Sequence, residues 1–324
     1  MNLSSLSNQE FEEIFNLIIN NKLAQKDVEQ FLLNLNQENL PSAAFIGAVS
    51  ALKKQMKLIN APSNAIDVCG TGGDGLNTLN ISTAVCFVVA ACGVVVAKHG
   101  NKAISSKSGS ADIFSALGIK ISSEIFEIEK NLREKKLCFL YAPFFHEALK
   151  NVAQIRSKLG VPTIFNFLGP LLNPANTSLQ LIGTSRKDTM QKIASVILEN
   201  KKSAYIVHGF DGMDEITLSD NSYLLRVENG EIFAEEIINP EKFGFKKCPI
   251  QALKGDDAQY NAQKLINLLD GEKSAYRDIV ILNAAITLKL ANKISKIADG
   301  VELAKSAIDN GLAKKVLEDL RVEI

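Results

Sequence analysis

Residues 67–78, with the sequence DVCGTGGDGLNT, contain a glycine-rich loop that satisfies the dinucleotide pattern G-x-G-x-x-G through Gly70, Gly72 and Gly75. Glycines recur wherever a backbone turns tightly or approaches a ligand closely, so the pattern alone does not identify a ligand. Because the loop follows a predicted buried strand, it is a candidate for binding phosphate groups. The residues of the neighbouring loops indicate which ligand it binds.

The loop after the second predicted strand argues against a dinucleotide as the ligand. A dinucleotide site needs an acidic residue after the second strand, roughly 20 residues on, to hold the ribose hydroxyls. Here that strand is followed by Lys98, His99, Gly100, Asn101 and Lys102, and then by AISSKSGSAD. Cations, hydroxyls and amides suit phosphate oxygens better than a ribose diol. The two loops predict a ligand with more than one phosphate, and the absence of G-x-x-x-x-G-K-[ST] gives no support to a P-loop hydrolase.

A third loop, VHGFDGMDEIT, places two adjacent carboxylates, Asp214 and Glu215, after another predicted strand. These carboxylates would repel phosphates unless a hard cation lay between them. Magnesium suits the arrangement, because it binds through one or two carboxylates plus phosphate oxygens and keeps several waters. The three loops together predict a magnesium–pyrophosphate site.

The elements that position these loops belong to a mainly parallel α/β fold. The first sixty or so residues show three amphipathic helices, the first opened by a capping box at Ser7 to Glu10 and the third by Pro41. Strands and helices then alternate, and Phe144 to Leu159 is predicted to form one helix. A hairpin is indicated around Asn229-Gly230, and the region after Gln259 is helical. The predicted strands are Ala65–Cys69, Val94–Ala97, Cys138–Tyr141, Gln180–Gly183 and Ala204–His208.

Composition favours an ordinary globular enzyme. The chain has 324 residues, 46% of them hydrophobic, and 36 basic residues balance 36 acidic ones, so nothing favours nucleic acid or an anionic membrane surface. The N-terminus lacks a signal-peptide pattern, and the longest apolar run is shorter than the ~20 residues of a membrane span. The five cysteines form no C-x-x-C pair. We expect reduced cysteines in a cytoplasmic protein.

Four stretches together carry a family resemblance over nearly the whole chain. They are DVCGTGGDGLNTLNISTA, VAKHGNKAISSKSGSADIFSALGI, VAQIRSKLGVPTIFNFLGPLLNPA and VHGFDGMDEIT. Their order and sequence closely resemble the anthranilate phosphoribosyltransferases of tryptophan biosynthesis. The resemblance implies transfer of the phosphoribosyl group of phosphoribosyl pyrophosphate (PRPP) to the amine of anthranilate, with Mg²⁺ as cofactor.

The resemblance also implies a role for each matched position. Gly70, Asn101 and Arg156 would contact anthranilate, and a guanidinium can hold a carboxylate through two hydrogen bonds. Ser82 would share the magnesium with Asp214 and Glu215. The positions implied for PRPP are Gly70, Gly73, Asp74, Thr78, Asn80, Ile81, Ser82, Thr83, Lys98, His99, Gly100, Asn101, Lys102, Ala103, Ile104, Ser105, Ser106 and Ser110.

The implied fold is a small helical domain joined by hinges to a large α/β domain, with the site between them and a homodimer formed through the helical domain. The boundaries are 1–62 with about 145–178 for the small domain, and 63–144 with 179–324 for the large one. Three positions depart from the family pattern. Lys102 stands where the family usually has arginine, Glu147 where it often has proline, and Phe210 where an acidic residue is common.

Two other functions remain alternatives at this stage. A pyrimidine nucleoside phosphorylase is similar in fold and acts on a related ribosyl centre, but we expect it to have a different phosphate loop and no magnesium pair. A non-catalytic nucleic-acid-binding relative should carry a strong basic excess and broken substrate loops, whereas this chain is balanced in charge and its loops are intact. No residue is assigned as a nucleophile or an obligatory base.

Overall fold

A computed structural model describes residues 3–35, 40–103 and 107–321. The described residues before the first strand include three α-helices. The predicted capping box is confirmed: Ser7 Oγ accepts from the Glu10 N–H, and the Glu10 carboxylate accepts from the Ser7 N–H at 2.8 Å. Pro41 precedes the third helix as its cap residue. These helices are α1 (Asn8–Ile19), α2 (Gln25–Asn34) and α3 (Ser42–Lys53).

A single mixed sheet follows, and it confirms the prediction of a mainly parallel core. Its strand order is β3-β2-β1-β4-β5-β6-β7, and β8 also pairs with β6. The pairs β3–β2, β2–β1, β1–β4 and β4–β5 are parallel. The pairs β5–β6, β6–β7 and β6–β8 are antiparallel. The strands are β1 (Ile66–Gly70), β2 (Val96–Gly100), β3 (Leu137–Tyr141), β4 (Leu179–Gly183), β5 (Ser203–Gly209), β6 (Ser222–Glu228), β7 (Glu231–Ile232) and β8 (Glu236–Ile238).

The helices after β1 cover the sheet and complete the fold. The apolar run that begins at Ala84 is buried through Ala90 in the first of these helices and then enters β2. The remaining helices are α4 (Ile81–Ala91), α5 (Ser110–Ala116), α6 (Ile125–Glu134), α7 (Ala142–Phe145), α8 (Lys150–Leu159), α9 (Phe165–Leu168), α10 (Met190–Glu199), α11 (Ala258–Leu269), α12 (Ala275–Leu290), α13 (Ile297–Asp309) and α14 (Leu312–Leu320).

The prediction of one helix from Phe144 to Leu159 was wrong. The segment is divided into α7, a short 3₁₀ turn and α8, and the break lies at His146, whose φ of −122° and ψ of 59° are not helical. The His146 side chain is buried against His99. Helical periodicity does not reveal a tertiary contact of this kind, so the pattern overestimated the length of the helix.

The core lies on both faces of the sheet. On one face α4 packs against α12 and α14, and on the other α3 packs against α10. The apolar side chains of α1 to α3, α8 and α9 share one cluster with α10 and with strands β4 to β6. The division into a small and a large domain stays a prediction. Among the described residues, no helix has the length and apolar character needed to cross a membrane.

Candidate active site at the carboxyl ends of the strands

One cleft, with a volume of about 650 Å³, opens at the carboxyl ends of the parallel strands. Ligands of open α/β folds bind at this edge of the sheet. Ile104, Ser105 and Ser106 lie outside the described residues. All the other predicted site residues lie on the wall of this cleft: Gly70, Gly73, Asp74, Thr78, Asn80, Ile81, Ser82, Thr83, Lys98, His99, Gly100, Asn101, Lys102, Ala103, Ser110, Arg156, Asp214 and Glu215.

The glycine loop after β1 is held against the loop that carries the carboxylates. Gly72 has a φ of +67°, a conformation that favours glycine, and its N–H donates to the Asp214 carboxylate at 2.7 Å. Gly70 and Gly183 are register partners on β1 and β4, and a Cβ on either would overlap Asp214 atoms. The missing side chains therefore let Asp214 sit directly on the ends of two strands. Gly183 was not singled out from the sequence.

Both carboxylates of the third loop are deeply set. The Glu215 carboxylate accepts from the Ser82 N–H at 3.0 Å, at the first turn of α4, and only 8% of Glu215 is exposed. Burial, and then the charge of Asp214, raise the pKa of Glu215 to about 8. Burial and the nearby Asp74 carboxylate likewise raise the pKa of Asp214, which keeps part of its surface open to the cleft. The negative charges of Asp74 and Asp214, and of Asp214 and Glu215, disfavour one another's ionisation unless a cation neutralises them.

These oxygen atoms fit a magnesium ion that also binds phosphate. Across the part of the chain that the structure describes, no group of three or more His, Cys, Asp or Glu side chains forms a complete metal site. Mg²⁺ does not require one, because it is usually held by one or two carboxylates together with substrate phosphates and water. Asp214, Glu215 and the Ser82 hydroxyl are the groups that would hold it.

Without metal, the protein is expected to lose thermal stability as the pH rises. The folded state keeps the Glu215 proton up to a pH of about 8, whereas the unfolded chain releases it near 4.5. The folded state therefore binds more protons between these values, and its free energy of unfolding falls with rising pH. Mg²⁺ must displace these protons, so the increase in Tm on adding Mg²⁺ should be larger at about pH 8 than at about pH 6.

Thermal unfolding with a chelator and with excess Mg²⁺, at both pH values, measures this effect. The Asp214→Asn/Glu215→Gln double variant is the control. The fall in Tm with rising pH and the larger effect of Mg²⁺ at about pH 8 should both be lost in it, because neither side chain can titrate. An increase in Tm on Mg²⁺ addition that is the same at both pH values in the unsubstituted protein would contradict the assignment.

One buried lysine lies within β2, and one exposed lysine lies in the loop that follows it. Lys98 is 2% exposed, and its Nζ donates to the Val68 carbonyl at 2.6 Å and lies 3.4 Å from Ser82 Oγ. Lys102 is exposed at the cleft. Lys98 therefore supplies a fixed positive charge beside the carboxylates, whereas Lys102 can move with its ligand.

Two buried histidines, His99 and His146, meet in the wall of the cleft. Their Nε2 atoms lie 3.2 Å apart, and His99 Nδ1 lies 3.1 Å from the Gly169 carbonyl oxygen. A carbonyl only accepts, so the neutral His99 ring carries its proton on Nδ1 and presents Nε2 without a proton towards His146. Burial lowers the pKa of His99 to about 3 and that of His146 to about 4. Both rings are neutral at physiological pH, which agrees with assigning neither as an acid.

The other end of the cleft combines a guanidinium with an aromatic wall. Arg156 is half-buried on α8, its guanidinium carbon lies 5.6 Å from the centre of the Phe165 ring, and burial lowers its pKa. No carboxylate among the described residues pairs with it, whereas Arg186 at the rim is held by both oxygens of Asp188. Arg156 is therefore available for an anionic ligand.

Several cleft residues were not predicted from the sequence. The apolar surface beside Arg156 belongs to the segment that follows α8, and it includes Phe165, Phe167 and Pro170. Ser185 also lies on the wall, and its hydroxyl donates to the Gly72 carbonyl at 3.1 Å. The concentration of aromatic and proline residues in residues 161–178 was the available signal. This composition could not show that these residues form an apolar surface next to Arg156, because that arrangement depends on the fold.

Residues 62–314 match the family model described as glycosyl transferase family, a/b domain. An anthranilate phosphoribosyltransferase of Rhodopseudomonas palustris is 41% identical over 318 residues, which cover 98% of this chain and 94% of that protein. With this identity over almost the full length of both proteins, the chain belongs to the anthranilate phosphoribosyltransferase family.

Two solved structures extend the similarity to the fold. The anthranilate phosphoribosyltransferase of Thermus thermophilus superposes with a TM-score of 0.92 at 32% identity, covering 98% of this chain and 96% of that one. The Saccharomyces cerevisiae enzyme in complex with PRPP and Mg superposes with a TM-score of 0.90 at 26% identity, covering 98% and 93%. The predicted family and α/β fold are confirmed.

Proposed function

We propose that this protein transfers the phosphoribosyl group of PRPP to the amine of anthranilate, giving N-(5-phosphoribosyl)-anthranilate and pyrophosphate. One observation carries the proposal. A single cleft joins the glycine loop, the basic loop and the Asp214–Glu215 pair to the Arg156 guanidinium on its aromatic wall. The first three groups suit a magnesium-bound pyrophosphate, and the last suits an aromatic carboxylate.

PRPP occupies the end of the cleft formed by the loops after β1 and β2. The glycines of the loop after β1 let a phosphate approach the main chain closely. Lys98 and Lys102 supply positive charge. The groups assigned to PRPP are those named from the sequence, from Gly70 to Ser110.

Ser82, Asp214 and Glu215 hold the Mg²⁺ that accompanies PRPP. When bound, this ion supplies charge stabilisation to the departing pyrophosphate. The chain's own contribution is to fix the two carboxylates in place before the ligand arrives: Gly72 holds Asp214, and Ser82 holds Glu215. Such preorganisation avoids reorganising dipoles during the reaction.

Anthranilate lies between the PRPP end and the aromatic wall, where Gly70, Asn101 and Arg156 contact it. The Arg156 guanidinium holds the carboxylate through two parallel hydrogen bonds, and the ring lies on Phe165, Phe167 and Pro170. This arrangement aims the amine at the ribose carbon from the side opposite to the pyrophosphate, so positioning replaces chemical activation.

No general base is needed for this reaction. An aromatic amine is already neutral at physiological pH, and its proton can leave after the new carbon–nitrogen bond has formed. The histidines in the wall are neutral and hydrogen-bonded to each other, so they maintain the shape of the acceptor end. Catalysis then comes from positioning and from charge stabilisation of the leaving group.

The reaction is tested by following the fluorescence of anthranilate mixed with purified protein, PRPP and Mg²⁺. Consumption of anthranilate only in the complete mixture supports the proposal. Mixtures without metal and mixtures with thymidine and phosphate are the controls. Phosphate-dependent cleavage of thymidine without consumption of anthranilate would contradict the proposal and favour a nucleoside phosphorylase.

We also infer that the chain works in the cytoplasm as a homodimer joined through its N-terminal helices, with hinge closure between the two proposed domains. The exposed side chains Leu17 on α1 and Leu33 on α2 are consistent with a contact there. Sedimentation of the purified protein at several concentrations tests the dimer, and a monomeric mass throughout would remove it.

A further inference from the structure

A buried cluster of three polar side chains lies behind the PRPP loops. Its members are Asn80, Ser108 and Asn261, and we call it the Asn80–Ser108–Asn261 cluster. Asn80 and Ser108 lie on the wall of the cleft, whereas Asn261 is 2% exposed and does not line it. Asn261 belongs to α11, in the helical C-terminal third of the chain.

Hydrogen bonds join the side chains of the cluster to one another. Asn261 Nδ2 donates to Asn80 Oδ1 at 2.9 Å and to Ser108 Oγ at 2.8 Å. Ser108 Oγ donates to Asn80 Oδ1 at 3.1 Å, and Asn80 Nδ2 donates to the Ser108 carbonyl at 3.2 Å. The loop before α4 is therefore joined to the segment before α5 through a residue distant from both in sequence.

Main-chain groups fix the orientation of both amides. The Asp256 N–H donates to Asn261 at 2.8 Å, so the atom it faces must be Oδ1, and Nδ2 must face the other two members. In the same way, the Ser108 carbonyl requires Nδ2 of Asn80. Neither amide can rotate by half a turn without leaving a buried polar group unsatisfied, which is costly.

The segment before α11 holds the same loop through its main chain. The Leu79 N–H donates to the Leu253 carbonyl and the Gly255 N–H to the Asn77 carbonyl, both at 2.8 Å. A Cβ on Gly255 would lie 2.7 Å from the Thr78 carbonyl oxygen, so this close approach requires glycine. The Tyr276 hydroxyl adds a hydrogen bond of 3.1 Å to the Asn80 carbonyl.

We infer that Asn261 is a positioning residue for PRPP: it touches no substrate, and it sets the spacing between the Asn80 and Ser108 segments that hold the phosphoribosyl group. The inference rests on the proposed function, because those segments are assigned to PRPP. It predicts that the loss of the Asn261 amide weakens PRPP binding and leaves the acceptor end of the cleft unchanged.

Two substitutions test the role. Asn261→Asp keeps the shape but places an acceptor against Asn80 Oδ1, and Asn261→Leu removes all the hydrogen bonds. Each is expected to raise the Kd and KM for PRPP about tenfold, since a buried hydrogen-bond defect costs on the order of one factor of ten in affinity. The KM for anthranilate should stay within about twofold. Asn200→Asp, at the end of α10 and away from the cleft, is the matched control.

Calorimetric binding of PRPP with Mg²⁺ and without acceptor separates the outcomes. A variant that folds and binds PRPP like the unsubstituted protein overturns the inference, and so does a fall in kcat alone that follows lost stability. If both Asn261 variants unfold, Tyr276→Phe is the variant to measure. Its Kd for PRPP is expected to rise about threefold, and an unchanged Kd would overturn the inference.

An unsubstituted protein that binds PRPP but leaves anthranilate unchanged would refute only the proposed acceptor. Failure to bind PRPP would overturn both.

Discussion

The double substitution Asp214→Asn/Glu215→Gln is expected to lower kcat/KM about 100-fold or more at limiting Mg²⁺, because groups that stabilise developing charge are typically worth 10²–10³ in rate. Both side chains keep their size, and each amide retains an oxygen that can accept from the Gly72 or Ser82 N–H. The loop should therefore stay in place while the charge that attracts the metal is lost. Steady-state rates as a function of Mg²⁺ concentration measure the effect.

The single variants and a matched control show whether the loss of activity comes from the loss of the metal-binding carboxylates. Asp220→Asn removes a carboxylate from the same loop region, where it pairs with Lys247 away from the cleft, and its activity should be unchanged. Saturating Mg²⁺ should restore part of the activity of each single variant, since one carboxylate remains. Unchanged activity of the double variant at limiting Mg²⁺ would refute the metal role of both residues.

Much of the fold could be predicted from the sequence because local patterns determine it. The buried strands ending at Gly70 and Gly183 and the helix that follows Asn80 all appear as periodic or continuous apolar runs. The meeting of the three loops also follows, because parallel strands end at one edge of the sheet. These features depend on residue types within a short window of sequence.

Other features depend on contacts between distant residues, and they could not be predicted. The helix break at His146 is accompanied by a contact with His99, and Gly183 matters because Asp214 lies on it. Asn261 gives no signal in sequence, since a single asparagine on an amphipathic helix is usually exposed. The aromatic wall at Phe165 is a further case. Each of these residues acquires its role only when the chain has folded.

The substitution Arg156→Ala is expected to raise the KM for anthranilate about 100-fold, with a smaller effect on the KM for PRPP, because truncating one partner of a desolvated charge pair costs about 2–5 kcal/mol. The reason is that Arg156 is the half-buried cation at the acceptor end, and no carboxylate of the described chain neutralises it. Arg156→Lys keeps the charge but loses the planar fork, so it should give an intermediate KM, about tenfold above that of the unsubstituted protein.

The acceptor itself can show whether the effect is direct. Anthranilamide lacks the carboxylate, so the preference of the unsubstituted protein for anthranilate over anthranilamide should largely disappear in Arg156→Ala, because the guanidinium is what distinguishes them. A merely structural role of Arg156 would lower the rates with both acceptors by the same factor and leave the preference intact. Lys158→Ala removes a cation from the same helix, where Lys158 pairs with Glu29 at the surface, and it should leave both acceptors unaffected. A preference that survives in Arg156→Ala would move the carboxylate site away from Arg156, and the cation at the rim, Arg186, would be the next to test.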